Sequence, residues 1–390
     1  MLKSRKLLIL IFAFSVSCLS ARADGIDLDS LKREISTVVE IGTRPAYTLR
    51  TNDFFNRKTF SAHLKYGFRF KPGSVLGDRY PYAVQGIGIA RNTFFNKSEI
   101  GNPIALYVFQ SSRIATLSNS LSLDYEWNFG ASFGWKKYDE YTNPDNMVVG
   151  SRVNAYINLG ILFNWRLTDQ LNLKTGIGLS HFSNGNTSYP NAGVNTAGGN
   201  VALAWDFSGR NPVARTSTAN ADFSRHMSYD VVLYCATRKK GFLMDDNSAV
   251  IVPGSFAVTG LNISPMYNFS KYFRAGLSLD AQYDESANIS RHVANTSMPS
   301  DEDIRFHRPP FREQFAVGVS ARAEVVMPVF SINIGIGRNV ICKGPDTDSF
   351  YQIFALKTDI AKNTFLHIGY QLYKFKKPNN LMIGIGYRFK

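Results

Sequence analysis

Hydrophobicity in this 390-residue chain alternates with period two, in one segment after another, from about residue 37 to the C-terminus. Val153, Ala155, Ile157, Leu159, Ile161, Phe163 and Trp165 form one stripe. Asn154, Tyr156, Asn158, Gly160, Asn164 and Arg166 form the other, with Leu162 the exception. Leu171, Leu173, Thr175, Ile177 and Leu179 alternate in the same way with Asn172, Lys174, Gly176, Gly178 and Ser180. Successive strand residues face opposite sides of a sheet, so such alternation marks half-buried strands. Many of these segments run ten residues or more, beyond the about 5–6 usual in soluble sheets. Their second face carries Gly and small polar groups. The pattern predicts an all-β fold: an antiparallel transmembrane β-barrel, apolar toward lipid and polar toward its lumen.

Strands are expected near 37–48, 59–70, 82–92, 103–113, 119–136, 150–167, 170–183, 194–207, 227–238, 250–268, 271–284, 312–326, 329–340, 350–359, 364–376 and 380–390. Closure of a bacterial barrel wants an even number, and the segments give roughly 12–16. The 29 Phe and 19 Tyr supply aromatic girdles for two membrane interfaces. Leu381, Ile383, Ile385, Tyr387 and Phe389 form a last alternating segment of the kind that closes outer-membrane barrels. The connection over 208–226 is long and polar where alternation demands a short turn. A short helix, an extra strand or a junction between two half-barrels would each fit there.

The first residues read as an export signal. Lys3, Arg5 and Lys6 precede an apolar run from Leu7 to Ser17, and Ala21-Arg22-Ala23 is an A-x-A cleavage site. The run is too short to span a bilayer as a helix. A lipoprotein processed at Cys18 is the other reading, but Ser15-Val16-Ser17 lacks the expected leucine pattern. Loss of residues 1–23 removes four basic residues and no acidic ones, lowering the net charge from +14 to +10. Export and the lack of basic runs interleaved with aromatics argue against nucleic acid as a partner. Phosphorylated lipid fits better. Cys235 and Cys342 could pair in an oxidising compartment, but free buried thiols are the simpler expectation. No C-x-x-C or clustered His/Cys spacing suggests a metal site.

Chemistry is concentrated in His181-Phe182-Ser183-Asn184 and the following Tyr189-Pro190-Asn191-Ala192-Gly193-Val194-Asn195. Residues i and i+2 of a strand project from one face about 6.7 Å apart. His181 and Ser183 can therefore lie side by side, as a general base and a nucleophile must. Both share the odd-numbered register of Leu171 to Leu179, the lipid-facing stripe. Thr168-Asp169-Gln170 is a tight turn of the periplasmic kind, so the strand rising from it carries the pair toward its outer end. Asn195 opens the returning strand on the same parity as Val201, Leu203 and Trp205.

This motif in its strand setting resembles the outer-membrane lipid A 3-O-deacylases (the PagL family) and related barrel acyloxyacyl hydrolases. The matching elements are His181-x-Ser183-Asn184 and Pro190-Asn191-x-Gly193. The resemblance covers roughly residues 37–207, and the family's basic unit is an eight-stranded barrel, so 208–390 is expected to enlarge the barrel or to build beside it. It implies Ser183 as nucleophile and His181 as general base. It also implies an oxyanion hole from the backbone around Asn184 and Gly185 with the Asn191 amide. Where the family places a glutamate to orient the histidine, this chain has Asn195. Asn195 itself, or a carboxylate from Asp206 or Glu126, would have to do that work. The implied reaction is hydrolysis of a fatty-acyl ester of lipid A (lipopolysaccharide), without metal or cofactor, in the bacterial outer membrane. The other reading is a non-catalytic barrel that binds or transports a hydrophobic compound.

Overall fold

The computed structural model describes residues 35–49, 58–139, 141–209, 223–243, 249–293, 305–375 and 377–390. The expected export signal, the start of the 24–36 segment and most of the 208–226 connection lie outside them. No helix among the described residues is long and apolar enough to cross a membrane; crossing falls to strands.

Antiparallel pairing closes those strands into two rings of eight. The first contains β1 (Ile35–Thr48), β2 (Lys58–Phe70), β3 (Val84–Thr93), β4 (Gly101–Thr116), β5 (Leu121–Trp135), β6 (Val153–Arg166), β7 (Leu171–Ser183) and β8 (Val194–Asp206). They pair in chain order, and β1 closes on β8. The chain continues through β9 (His226–Arg238) and a separate hairpin of β10 (Gly241–Leu243) and β11 (Ala249–Ile251). Then follow β12 (Phe256–Asn268), β13 (Phe273–Asp284), β14 (Phe315–Val326), β15 (Phe330–Ile341), β16 (Phe350–Asp359), β17 (Thr364–Tyr373) and β18 (Lys377–Phe389). The last seven and β9 form the second ring, closed between β18 and β9.

The antiparallel barrel class is as the alternation predicts, and sixteen strands build the rings. The second half does not enlarge the first barrel; it closes on itself. The 208–226 connection therefore joins two complete barrels. The chain divides into two compact units, one carrying each barrel, and residues 185–189 group with the second.

In the first barrel, burial follows parity. Along β6 and β7, Ile157, Leu159, Ile161, Ile177 and Leu179 face outward and are exposed, while Asn154, Asn158, Lys174 and Phe182 are buried in the lumen. Leu162, the exception to the polar stripe, is buried on that inner face at 1% exposure. An eight-stranded ring is just wide enough for side chains to fill it. Here they fill it with charge. Lys65 lies 2.6 Å from both Glu40 and Glu126, Arg44 binds Glu126 at 2.8 Å, and Lys174 binds Glu40 at 2.7 Å. The second lumen is built likewise: Lys357 bridges Asp230 (2.9 Å) and Glu324 (2.8 Å), and Arg274 also pairs with Glu324. Buried charges persist only when paired, and these pairs tie together strands distant in sequence.

Apolar side chains spread over the whole outer wall would be costly in water but match hydrocarbon. Leu159, 58% exposed and paired across the ladder with Leu179, tests this. Leu159→Arg is expected to destabilise the protein in phospholipid vesicles by about 2–4 kcal/mol, read from urea unfolding. An unchanged unfolding midpoint would contradict a lipid-facing wall.

Candidate active site

Site geometry follows from strand register. The β7–β8 ladder sets His181 directly opposite Asn195, and the β6–β7 ladder sets Ala155 opposite Ser183. Directly opposed residues hold their Cβ atoms about 4.5–5.5 Å apart, within side-chain reach. His181 Nδ1 lies 2.7 Å from Asn195 Oδ1, and His181 Nε2 lies 2.9 Å from Ser183 Oγ. All three side chains are half-buried on the face shared with Ile177, which is 71% exposed. The short turn at 167–170 is closed by Leu167 and by the Thr168 hydroxyl, which accepts from Leu171 N at 2.9 Å. The site sits at the opposite end of β7.

The direction of the hydrogen bonds follows from their chemistry. With Asn195 Oδ1, an oxygen that only accepts, turned toward the ring, the imidazole donates from Nδ1. That leaves the Nε2 lone pair to accept from the Ser183 hydroxyl, the arrangement that activates an alcohol.

Beyond Ser183 the chain leaves the ladder. Gly185 turns with φ 65° and Asn186 with φ 65°. Asn184 N donates to Asn191 Oδ1 at 3.0 Å, so two of the residues expected at an oxyanion hole are bonded to each other, with the Asn184 amide engaged in holding Asn191. Gly193 (φ 70°) closes the excursion against the site. A Cβ there would lie 3.0 Å from Phe182 O, 3.2 Å from His181 Cε1 and 3.5 Å from Ser183 Cβ. Only glycine combines that conformation with that approach.

Neither expected alternative carboxylate is at the imidazole. Glu126 is buried in the lumen with Arg44 and Lys65. Asp206 lies eleven residues along β8 from Asn195, about 36 Å at strand rise, where it accepts from Ser36 and pairs with Arg69. The side chain hydrogen-bonded to His181 Nδ1 is Asn195.

A second Ser–His pair escaped the sequence reading. Ser61 Oγ lies 2.7 Å from His63 Nε2, whose Nδ1 lies 2.9 Å from Tyr107 OH. Both residues are buried inside the first barrel. The spacing is the same, but the parity is opposite, and parity was the available signal. His367 is buried in the second barrel, and His292 pairs with Glu313 at 2.9 Å. Among the described residues no group of three or more His, Cys, Asp and Glu could hold a metal ion. Cys235 and Cys342 are both free, but neither is buried as expected: Cys235 is exposed on β9 and Cys342 is half-buried.

Closed antiparallel rings with an apolar outer wall define an outer-membrane β-barrel protein, and this one carries a hydrogen-bonded Ser–His–Asn chain on its outward face. Comparison with known families supplies the relationship: residues 110–204 match the lipid A 3-O-deacylase (PagL) family, and residues 227–390 match the C-terminal domain of acyloxyacyl hydrolases. The resemblance carried by the His181–Asn195 segment is thereby borne out. Among solved structures, the outer membrane enzyme PagL is 10% identical, with 42% of this chain and 97% of that one covered at a TM-score of 0.29. The siderophore receptor PirA from Pseudomonas aeruginosa is 8% identical, with 92% and 81% covered at 0.27. Superposition scores this low leave the fold argument to the strand pairing itself. No curated protein matches the chain.

Proposed function

We propose that this chain is an exported serine esterase of the outer membrane that removes an ester-linked acyl chain from lipid A in the outer leaflet. The observation that carries the reading is the hydrogen-bonded chain Ser183–His181–Asn195 on the outward wall, inside the region similar to the PagL deacylases. A nucleophile on that wall meets a lipid ester from the side, without the substrate leaving the bilayer. The polar lumen, crossed by buried ion pairs, favours this over passage of a hydrophobic compound through the barrel.

In the proposed reaction Ser183 Oγ attacks the ester carbonyl while its proton passes to His181 Nε2. The tetrahedral oxyanion collapses, and His181 gives the proton to the departing alkoxide oxygen, leaving an acyl-Ser183 ester and a free alcohol on lipid A. Water then adds to that ester with His181 again as base, releasing the fatty acid and restoring the serine. With the Asn184 N–H committed to Asn191 Oδ1, the Gly185 backbone N–H and the Asn191 side-chain NH₂ are the candidates for stabilising the oxyanion.

Purified protein given lipid A in one reaction and a diacyl phospholipid in another tests the reading. Mass spectrometry is expected to find one acyl chain lost from lipid A and none from phospholipid. Loss from phospholipid alone would change the substrate class. Lipid A binding without loss from either would favour a non-catalytic barrel. Because His181 must be neutral to act as base, activity is expected to hold at neutral pH and to disappear on acidification as the imidazole protonates. A rate that rises toward acid, read in a buffer series at constant ionic strength, would contradict a histidine base.

A further inference from the structure

Ser183 is the last residue of β7, and strand ends fray unless something holds them. The β7–β8 ladder stops one residue earlier, at the pair Phe182↔Val194. Phe182 faces the lumen at 3% exposure, between two residues that face out. Its ring stacks on Tyr156 (centroids 5.1 Å apart) and meets Trp135 (5.2 Å) and Phe94 (6.0 Å) edge-on.

That cluster is itself fixed. Tyr156 OH accepts from Arg44 at 3.0 Å, and Trp135 Nε1 donates to Ser132 Oγ at 2.8 Å. Val148 and Val149, from the β5–β6 connection, complete the plug. They are held by the fully buried Asn146, whose Oδ1 accepts from Val149 N (3.0 Å) and whose Nδ2 donates to Glu99 O (3.0 Å) and Lys136 O (2.9 Å). On the other side of the strand, Gly193 backs onto Phe182 O, His181 Cε1 and Ser183 Cβ.

We infer that Phe182 is a positioning residue for the hydrolysis: clamped in the aromatic plug, its ring fixes the end of β7 and with it the reach from His181 Nε2 to Ser183 Oγ. Strand alternation supplies the link, because an inward anchor at 182 dictates outward directions at 181 and 183. This inference rests on the esterase reading.

Its test compares Phe182→Ala and Phe182→Leu with Phe70→Ala, which removes an equally buried ring (1% exposed) at the far end of the same barrel. Folded fractions are scored by heat-modifiable gel migration. Lipid A hydrolysis and fluorophosphonate labelling of Ser183 are then measured on folded protein. Phe182→Ala is expected to lower kcat and the labelling rate together by about 10- to 100-fold with KM nearly unchanged. Phe182→Leu should recover most of the loss, and Phe70→Ala should leave kcat alone. Unchanged kcat in folded Phe182→Ala, or an equal loss in Phe70→Ala, would overturn the inference. Should Phe182→Ala not fold, Phe182→Leu decides: a several-fold fall in labelling supports positioning, and a wild-type rate refutes it. Wild-type protein that neither hydrolyses nor labels would overturn the esterase reading and this inference with it.

Discussion

Ser183→Ala is expected to lower the rate of lipid A deacylation by between about 10³ and 10⁶ while leaving the barrel folded and lipid-bound. The lower bound reflects a weakly activated nucleophile with a neutral orienting group; the upper bound is what loss of a fully activated serine costs. Stability should be spared, because Ser183 is half-buried at a strand end and its hydroxyl meets one partner, His181 Nε2. His181→Ala should cost about as much. The double variant should cost no more than either single one, since base and nucleophile act as a unit. The measurement is kcat on purified lipid A, with acyl release followed by mass spectrometry. Retained activity in Ser183→Ala would remove the serine mechanism, and an additive double variant would mean the two residues act separately.

The parts of this molecule that depend on neighbours in sequence were legible. Period-two alternation located the barrel strands, because a lipid-facing wall imposes itself on every second residue. Even the exception, Leu162, has a local meaning: an apolar residue on the inner face. Ring closure was not legible. Nothing in β8 says that it returns to β1, or in β18 that it meets β9, so one large ring and two small ones share the same pattern. The lumenal ion pairs were hidden for the same reason, since Glu40, Lys65, Glu126 and Lys174 come from four different strands. At the site, parity and hairpin length were enough to bring His181, Ser183 and Asn195 to one face. They could not exclude Glu126 or Asp206 as orienting groups, because side-chain reach across a barrel depends on register, which only the folded chain fixes. Nor could they reveal the aromatic plug behind Phe182, assembled from four separate elements.

At Asn195 the exchange of one atom should raise activity. Asn195→Asp keeps an acceptor oxygen where Oδ1 now lies, 2.7 Å from His181 Nδ1, and replaces the amide NH₂ by a second oxygen. Two consequences follow. An asparagine can rotate to present its NH₂ to the ring, which would move the imidazole proton to Nε2 and leave no lone pair for Ser183; a carboxylate has only acceptors and holds one tautomer. A carboxylate also stabilises the imidazolium that forms as Ser183 loses its proton, which a neutral amide does less well. Asn195→Asp is therefore expected to raise kcat by about 10- to 100-fold, and Asn195→Leu, which removes the acceptor at similar size, to lower it by about 100-fold. The spread between the two variants, on the order of 10³ or more, is the quantity to measure, again as acyl release from lipid A. A carboxylate set against the apolar wall is costly unless hydrogen-bonded, so folded yield must be scored alongside. If Asp and Leu variants turn over at the same rate as the wild type, Asn195 does not orient the base, and the 2.7 Å contact is only part of the hairpin's packing.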